Sequence, residues 1–497
     1  MVSGVVSVGG CAAGPDFARP GPPPATRYTA DTLRGESPSA DEQIQHIALG
    51  RNIEGAWWTL FRSNAIDDLV TQAVGHNRTL AASMATLAQA QEMALARAGS
   101  QYPQVDLTAG AGRQQYGKEF LGPFRIPPFT YFAVGPTVSY MLDYTGGVAR
   151  SVEQQYALAE VERHQLDAAY LAVTGQAVMQ TLTIASVRAQ IATVETILEQ
   201  DRDNLRLVQS AFDNGSVARE DVVSAQSQIA NDMTLLPPLR QELAKARHAL
   251  SVVLGRAPAG KLPDDVDLAQ ITLPAQVPVS LPSELAHRRP DILAAEAQLH
   301  AATSAVGVAQ SNLYPKIQLT ASVGQQSLKA DQLFDRANNA WSIMAALTAP
   351  IFDGGTLRAE KRAAVDAMRA SAATYEQTVL EAFAQVADLL EGLDHDAEQL
   401  DAQDHAQQAA QSSLDLSRIS YKEGNAGVLQ VLDAERSYQQ ARLGYVRAVA
   451  QRYLDTVQLF LALGGTSPSA PLGAAFSQSS PPSRDTLQLR SEPPAVF

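Results

Sequence analysis

The residues of this sequence that are best suited to chemistry do not form a catalytic arrangement. Its eight histidines are scattered, and it lacks the HExxH, GxSxG and GxxxxGKS/T spacings of metallopeptidases, serine hydrolases and phosphate-binding loops. Asp394, His395 and Asp396 are neighbours in a predicted helix, so their side chains point in different directions, and we expect a solvated polar stretch rather than metal ligands. The sequence therefore predicts no enzymatic activity, no metal site and no bound cofactor.

Two glycine-containing turns carry the most informative polar residues. Residues 214–216 and 424–427 follow long helical segments, and glycine accepts the positive φ angles that tight turns require. Glu220 and Asp221 follow the first turn, and Asp433 follows the second. One interpretation is that these acids stabilise helix N-termini through the helix dipole. The other is that a symmetric oligomer brings them together as acidic rings at a constriction.

The single cysteine, Cys11, cannot form an internal disulfide or a zinc cluster. Small residues precede it in a pattern that resembles a bacterial lipobox, which predicts a covalent lipid on Cys11. The alternative is a cysteine without a role in a frayed terminus. Residues 1–10 are then the remnant of a signal peptide, and Ala12, where inner-membrane retention signals have Asp, favours the outer membrane. Residues 11–62 are proline-rich and predict a lipidated, extended strap.

Composition excludes other classes of protein. With 497 residues, 45% of them hydrophobic and 18% charged, the chain is too apolar to be disordered. Its net charge of -14 and the absence of a basic run exclude nucleic acid as a partner. No apolar stretch reaches the length of roughly 18 residues that a membrane-spanning helix needs, whereas membrane strands are compatible with the sequence.

The chain contains an internal duplication. Residues 101–109 resemble residues 313–321, and further landmarks recur in the same order. The first repeat spans residues 63–280 and the second spans residues 281–465, which is far too long for a solenoid unit. Each repeat is predicted to consist of a helix, a β-hairpin, a very long helix, a turn and a returning helix. The Ser/Pro-rich residues 466–497 are predicted to be a disordered tail.

Period-two alternation of apolar residues predicts the two hairpins. The first pairs a strand near residues 105–111 with an arm over residues 130–144, and the second pairs residues 317–323 with residues 340–352. Such alternation gives each strand one dry and one wet face. A half-buried hairpin of a water-soluble domain and a lipid-facing hairpin both explain it.

Two proline-free segments, residues 147–213 and 355–423, predict very long helices. Apolar residues in them alternate at spacings of four and three, the pattern of a coiled coil, and Asp201 is the one polar interruption of the first seam. At about 1.5 Å per residue each helix is roughly 100 Å long. Such rods suit a tube wall or a spacer. Pro237 and Pro238 are expected to interrupt the first returning helix.

Several short motifs occur in an order that is typical of one family. They are Trp57-Trp58-x-x-Phe61, Arg288-Arg289-Pro290-Asp291-Ile292, Tyr314-Pro315, Pro350-Ile351-Phe352-x-Gly354-Gly355 and Leu432-Asp433-Ala434. With them the sequence resembles the TolC-like outer-membrane efflux factors, specifically the lipoprotein branch that serves drug-exporting resistance-nodulation-division pumps. The resemblance covers residues 11–465.

The resemblance implies a mainly α fold with a β-barrel part. Each protomer of a homotrimer would give four strands to one shared barrel of twelve, and the coiled-coil helices would form an α-helical barrel in the periplasm. Elementary physics agrees, because four strands cannot close a barrel and unpaired strand edges are not tolerated in lipid. The expected location is the outer membrane, lipid-anchored and extending into the periplasm.

The resemblance also implies a passive exit duct for small molecules in a tripartite efflux pump. Its partners would be a periplasmic adaptor and an inner-membrane resistance-nodulation-division transporter. Asp221 and Asp433, with Glu220, would close the periplasmic end. Two alternatives stay open, a duct for type I protein secretion and a lipid-anchored coiled-coil spacer without a lumen. The turn residues that would contact the adaptor are Gly215, Ser216, Val217, Gly424, Asn425, Ala426 and Gly427.

Overall fold

The computed structural model of the protein describes residues 13–21, 25, 27–29, 45–53, 56–117, 126–260, 263 and 265–465. Cys11, residues 1–10 and the predicted tail lie outside the described residues. The chain divides into two units, each built from segments of both predicted repeats. The first unit combines residues 1–24, 82–165 and 290–382, and the second combines residues 25–81, 166–289 and 383–497.

Helices dominate the described chain, because apolar residues recur at spacings of three and four over most of its length. The helices are α1 (Asn64–His76), α2 (Arg78–Ala98), α3 (Gly147–Asp213), α4 (Arg219–Met233), α5 (Leu236–Val253), α6 (Pro282–Leu285), α7 (Pro290–Ser311), α8 (Thr356–Lys422) and α9 (Val428–Ala462). The strands are β1 (His46–Leu49), β2 (Gln104–Gln114), β3 (Phe129–Leu142), β4 (Gln276–Val279), β5 (Lys316–Ser327) and β6 (Asn339–Thr348). Among the described residues, no helix combines the length and the apolar character needed to cross a membrane.

The two predicted hairpins form one antiparallel sheet in the first unit, in the order β2-β3-β5-β6. Strand β6 ends at Thr348, four residues before the predicted end, because Pro350 has no N–H to give to a ladder. One face of the sheet is rich in Thr, Ser, Gln and Gly, and the other face is apolar. The apolar face carries Val105, Leu107, Ala109 and Ala111 of β2, Phe132, Val134, Pro136 and Val138 of β3, Ile317, Leu319, Ala321 and Val323 of β5, and Trp341, Ile343, Ala345 and Leu347 of β6.

Gly135 of β3 and Gly324 of β5 lie against each other where these two antiparallel strands are neighbours. Pairing runs from Val134 with Gln325 directly to Thr137 with Ser322, so the ladder is interrupted between these pairs. A Cβ atom on Gly135 would lie 2.6 Å from the Cα atom of Gly324, and it would collide with the carbonyl oxygen of Val323. The close approach of the two backbones therefore excludes any side chain at Gly135.

The long helices have almost the predicted bounds. Helix α3 begins and ends as predicted, and α8 is one residue shorter at each end. The predicted seams are buried at most positions, including Val194 on α3 and Val386 on α8. The break between α4 and α5 precedes Pro237 and Pro238, which lie in the first turn of α5, where a missing N–H leaves no acceptor unsatisfied.

An aromatic core stabilises the second unit. Trp57, Phe61 and Phe460 are fully buried. The ring centroid of Phe460 lies 6.1 Å from that of Trp57 and 6.2 Å from that of Phe61. Part of the predicted strap belongs to this unit, where β1 pairs in parallel with β4. These residues of the strap therefore gain backbone hydrogen bonds instead of remaining extended and unpaired.

Candidate functional site

The two predicted turns have the same backbone geometry in the second unit. Gly215 and Gly424 have φ angles of 74° and 75°, the left-handed region that glycine adopts without strain. The residue after each glycine donates its N–H to a carbonyl five residues earlier, at 2.8 Å in both turns. Ala218 and Gly427, which precede α4 and α9, share φ and ψ values of -82° and 159°. The duplication therefore extends to the conformation of the turns.

Apolar side chains pack the two turns together. Val208 of α3, Val222 of α4 and Val428 of α9 form one buried cluster. Val217 and Tyr421, one from each turn region, pack against it while remaining half-buried. The structure thus brings the two sets of predicted turn residues to one place, whereas Gly215, Ser216, Gly424 and Asn425 stay exposed.

The predicted gate acids have different surroundings. Asp221 is the third residue of α4 and accepts a hydrogen bond from the N–H of Ala218 at 3.0 Å, so it caps the helix. Asp433 is the sixth residue of α9, beyond the first turn, and its side chain is 78% exposed. Among the described residues, the ionic neighbour of Asp433 is Arg436, at 3.6 Å. Glu220 is exposed on the first turn of α4. Capping therefore explains Asp221 and does not explain Asp433.

A polar network that the sequence did not reveal lies further along the same helices. Glu435 of α9 is only 2% exposed and accepts hydrogen bonds from Arg418 of α8, at 3.2 Å, and from Asn204 of α3. Arg436 donates to Gln228 of α4 at 3.0 Å. These bonds link α9 to the three helices around it. Glu435 lies in a stretch of α9 that is otherwise rich in buried apolar residues, and a charged residue at such a position is the signal by which the sequence could have revealed the network.

Asp201, predicted as a polar interruption of the α3 seam, belongs to this network. It is 3% exposed and accepts a hydrogen bond from Gln439 of α9 at 2.9 Å. Burial raises the pKa of Asp201 to about 7, and the neighbouring carboxylates of Asp232 and Glu435 act in the same direction. The hydrogen bond from Gln439 opposes the rise without cancelling it.

The expectation of a solvated polar stretch at residues 394–396 is wrong for Asp396. His395 is exposed, but Asp396 is half-buried and faces Asp455 of α9. Burial, followed by the contact with Asp455, raises the pKa of Asp396 to about 7, and Arg452 lowers it in part. No cluster of three or more His, Cys, Asp or Glu residues suited to a metal ion occurs in the described part of the chain.

The segment that follows Cys11 is fixed to the first unit. The N–H of Ala13 donates to the carbonyl of Thr145 at 2.8 Å, and Arg150 donates to the carbonyl of Ala13 at 3.3 Å. Arg150, which is 6% exposed, also pairs with Asp16 and with Glu153. Residues 13–16 are therefore held where strand β3 leads into helix α3.

Two further contacts extend this attachment. Phe17 stacks on His300 of α7, with ring centroids 4.4 Å apart, and Arg19 pairs with Glu296 at 2.7 Å. His300 also contacts Glu153 at 2.8 Å. Although burial acts to raise it, hydrogen bonds from His300 and then Arg150 lower the pKa of Glu153. Glu153 therefore stays ionised beneath the segment.

The family model for outer membrane efflux proteins matches residues 69–256 and 281–465, which cover both predicted repeats. The chain belongs to the outer membrane efflux protein family. The pyoverdine export outer membrane protein OpmQ of Pseudomonas aeruginosa is 30% identical over 86% of this chain and 91% of its own length. The solvent efflux pump outer membrane protein SrpC of Pseudomonas putida is 27% identical over 93% and 96%. A solved structure of the outer-membrane channel OprN matches with a TM-score of 0.80 and 26% identity, over 92% of this chain and 99% of that one.

This outer membrane efflux protein is the outer-membrane channel of a tripartite efflux pump and extends into the periplasm. Its fold is the mainly helical TolC-like fold with four strands of the channel sheet in each chain. The prediction that the protein is not an enzyme is confirmed by its membership of a channel family. Of the alternatives left open by the sequence, protein secretion and a spacer without a lumen give way to efflux.

Proposed function

We propose that the protein is a passive exit duct for small molecules, closed at its periplasmic end by Asp221 and Asp433 with Glu220 nearby. The observation that carries this proposal is the position of Asp433, which is exposed and too far along α9 to cap it. An exposed acid beside the packed turns is suited to act on ions that enter. The relatives are named for pyoverdine export and for solvent efflux, and these names support small molecules as the cargo.

We further propose a homotrimer with one shared barrel of twelve strands. Within the described residues, β2 and β6 are the outer strands of the sheet and each pairs on one side only. In lipid, the unpaired N–H and C=O groups of such edges cost several kcal/mol each. Pairing β2 of one copy with β6 of the next removes every edge, and a closed barrel of this size leaves an aqueous lumen.

The partners proposed for the pump are a periplasmic adaptor and an inner-membrane resistance-nodulation-division transporter. The adaptor would contact the turns at residues 215–217 and 424–427, which lie side by side in the structure. Exposed glycines there leave backbone groups open to a partner.

The gate proposal is tested by the double variant Asp221→Asn and Asp433→Asn. Asparagine keeps the hydrogen-bond acceptor that caps α4, so the double variant loses two negative charges per protomer and little else. In planar bilayers we expect the double variant to lose the cation selectivity of the parent channel and its block by multivalent cations.

The matched control is Asp366→Asn, which removes an exposed acid on α8 whose ion pair with Arg369 has the same spacing as that of Asp433 with Arg436. It should behave like the parent. Equal block of the parent and the double variant would leave Asp221 with a capping role alone and would refute the gate.

We also propose a covalent lipid on Cys11. Residues 13–19, which begin two residues after it, are fixed to the first unit, and this supports a defined attachment point for the lipid. Each buried methylene of an acyl chain adds about 0.8 kcal/mol, but the strands are expected to anchor the protein on their own. Cys11→Ala should therefore abolish labelling with radioactive palmitate and leave the protein in the outer-membrane fraction. A fully soluble variant would contradict the shared barrel.

A further inference from the structure

In the first unit, two helices meet the sheet at a single junction. Strand β3 leads into α3 through residues 143–146, and α7 leads into β5 through residues 312–315. The hydroxyl of Tyr144 in the first connection donates to the carbonyl of Pro315 in the second at 2.6 Å. Because α3 belongs to the first repeat and α7 to the second, the two repeats are joined at this junction.

Helices α3 and α7 pack side by side from the junction onward. A Cβ atom on Gly147, the first residue of α3, would collide with the hydroxyl of Ser311, the last residue of α7. Two turns further along α3, Glu153 lies 2.8 Å from His300 of α7. The chain therefore runs along α3 away from the sheet and along α7 toward it.

Residues 13 and 14 lie in contact with both helices. A Cβ atom on Gly14 would collide with the Cα atom of Gly307 in α7 and would lie 2.8 Å from its backbone nitrogen. From the other side, a Cβ atom on Gly307 would lie 2.7 Å from the carbonyl oxygen of Ala13 and 2.8 Å from Cγ of Arg150 in α3. The absence of a side chain at Gly14 and at Gly307 therefore allows the segment to reach this position.

Packing contributes more to the attachment of this segment than its ion pairs do. The side chains of Asp16 and Arg19, which form those ion pairs, are 90% and 54% exposed. Ion pairs of exposed side chains stabilise a fold little, because water screens them. The stack of Phe17 on His300 and the close approach of Gly14 to α7 are contacts between uncharged surfaces and escape this screening.

We propose that residues 13–19 are a brace that clamps α3 to α7 and thereby holds the two hairpins in one sheet. The brace contacts α3 through Arg150, and it contacts α7 through Gly307 and His300. These helices continue into β3 and β5, the neighbouring strands through which the two hairpins pair. The brace consists of protein alone, so the proposal does not depend on the lipid proposed for Cys11.

The test compares two substitutions on the same segment of the full-length protein. Gly14→Ala places a methyl group against the backbone of Gly307, which is held in a helix and cannot turn aside as a side chain could. The matched control is Gly21→Ala, where an added Cβ would meet no atom within 4 Å.

Thermal unfolding followed by circular dichroism and hydrogen exchange followed by mass spectrometry measure the effect. For Gly14→Ala we expect an unfolding temperature lower by about 4 °C or more. Amide exchange should be faster by about tenfold or more at residues 143–153 and in β3 and β5, because these segments open more often without the brace. Gly21→Ala should match the parent in both measurements.

Gly307→Ala tests the same contact from the side of α7. Alanine is a better helix former than glycine, so a loss of stability at this position can be assigned to the segment that it displaces. Adding Gly307→Ala to Gly14→Ala should cause little further loss, since the brace can be displaced only once. In a variant that lacks residues 13–19 but keeps Cys11, Gly307→Ala should no longer lower the unfolding temperature.

Equal unfolding temperatures of Gly14→Ala and Gly21→Ala would overturn the brace, and so would fully additive losses in the double variant. Faster exchange at residues 143–153 with unchanged exchange in β3 and β5 would overturn its link to the sheet. Cys11→Ala should keep the parent's slow exchange at residues 143–153. If Cys11→Ala exchanges as fast there as Gly14→Ala does, the lipid rather than the brace holds the junction. Palmitate labelling of Gly14→Ala at the level of the parent would show separately that the lipid is in place.

Discussion

Replacing Gly135 with alanine should abolish assembly of the channel. The new Cβ would lie against the carbonyl oxygen of Val323 and 2.6 Å from the Cα of Gly324, and both are backbone atoms of the neighbouring strand. Backbone held in a sheet cannot withdraw as a flexible side chain could, so β3 and β5 must separate at this point. The sheet then divides between β3 and β5, and two hairpins replace four continuous strands.

Size-exclusion chromatography with light scattering in detergent measures the effect as loss of the trimer. The control is Gly110→Ala in the same sheet, where an added Cβ would meet no atom within 4 Å. It should assemble like the parent. A normal trimer from Gly135→Ala would mean that the backbones of β3 and β5 do not approach each other at this position as closely as the structure shows.

Replacing Phe460 with alanine should cost about 3–5 kcal/mol of unfolding free energy, the range for a fully buried phenylalanine. Its ring fills the space between Trp57 and Phe61, and neither ring can collapse into the cavity without losing its own contacts. The lost aromatic packing destabilises the second unit, in which β1 and β4 pair. We expect a lower unfolding temperature and normal membrane targeting.

Gln440→Ala, on the exposed side of the same helix, provides the comparison, and its unfolding temperature should match that of the parent. Circular dichroism during heating follows both variants. A Phe460→Ala variant as stable as Gln440→Ala would show that the aromatic core does not limit the stability of this unit.

The long helices were predictable because their signal is local. Spacings of three and four without proline identify α3 and α8 almost to the residue, and two adjacent prolines identify the end of α4. The hairpins were predictable for the same reason, since period-two alternation follows from the pleat of a strand. Strand ends were less certain, and β6 is shorter than predicted.

The polar contacts between helices were not predictable. Asp201 was recognised only as an interruption of a seam, and Asp396 was wrongly expected to be solvated. The pKa of each is raised first by burial and then by a carboxylate that is distant in sequence, Asp232 for the first and Asp455 for the second. A pKa depends on burial and on neighbours, and neither is fixed by the local sequence.

The sequence by itself determined the long helices and their lengths, the two hairpins, the duplication and the family. These properties follow from periodicity, turn residues and short motifs, which act over a few neighbouring residues. Only the tertiary structure decided which residues meet. It distinguished Asp221, a helix cap, from Asp433, an exposed acid, although both follow similar turns. It also placed Asp201 beside Asp232, because the angle at which packed helices face one another is set by many distant side chains at once.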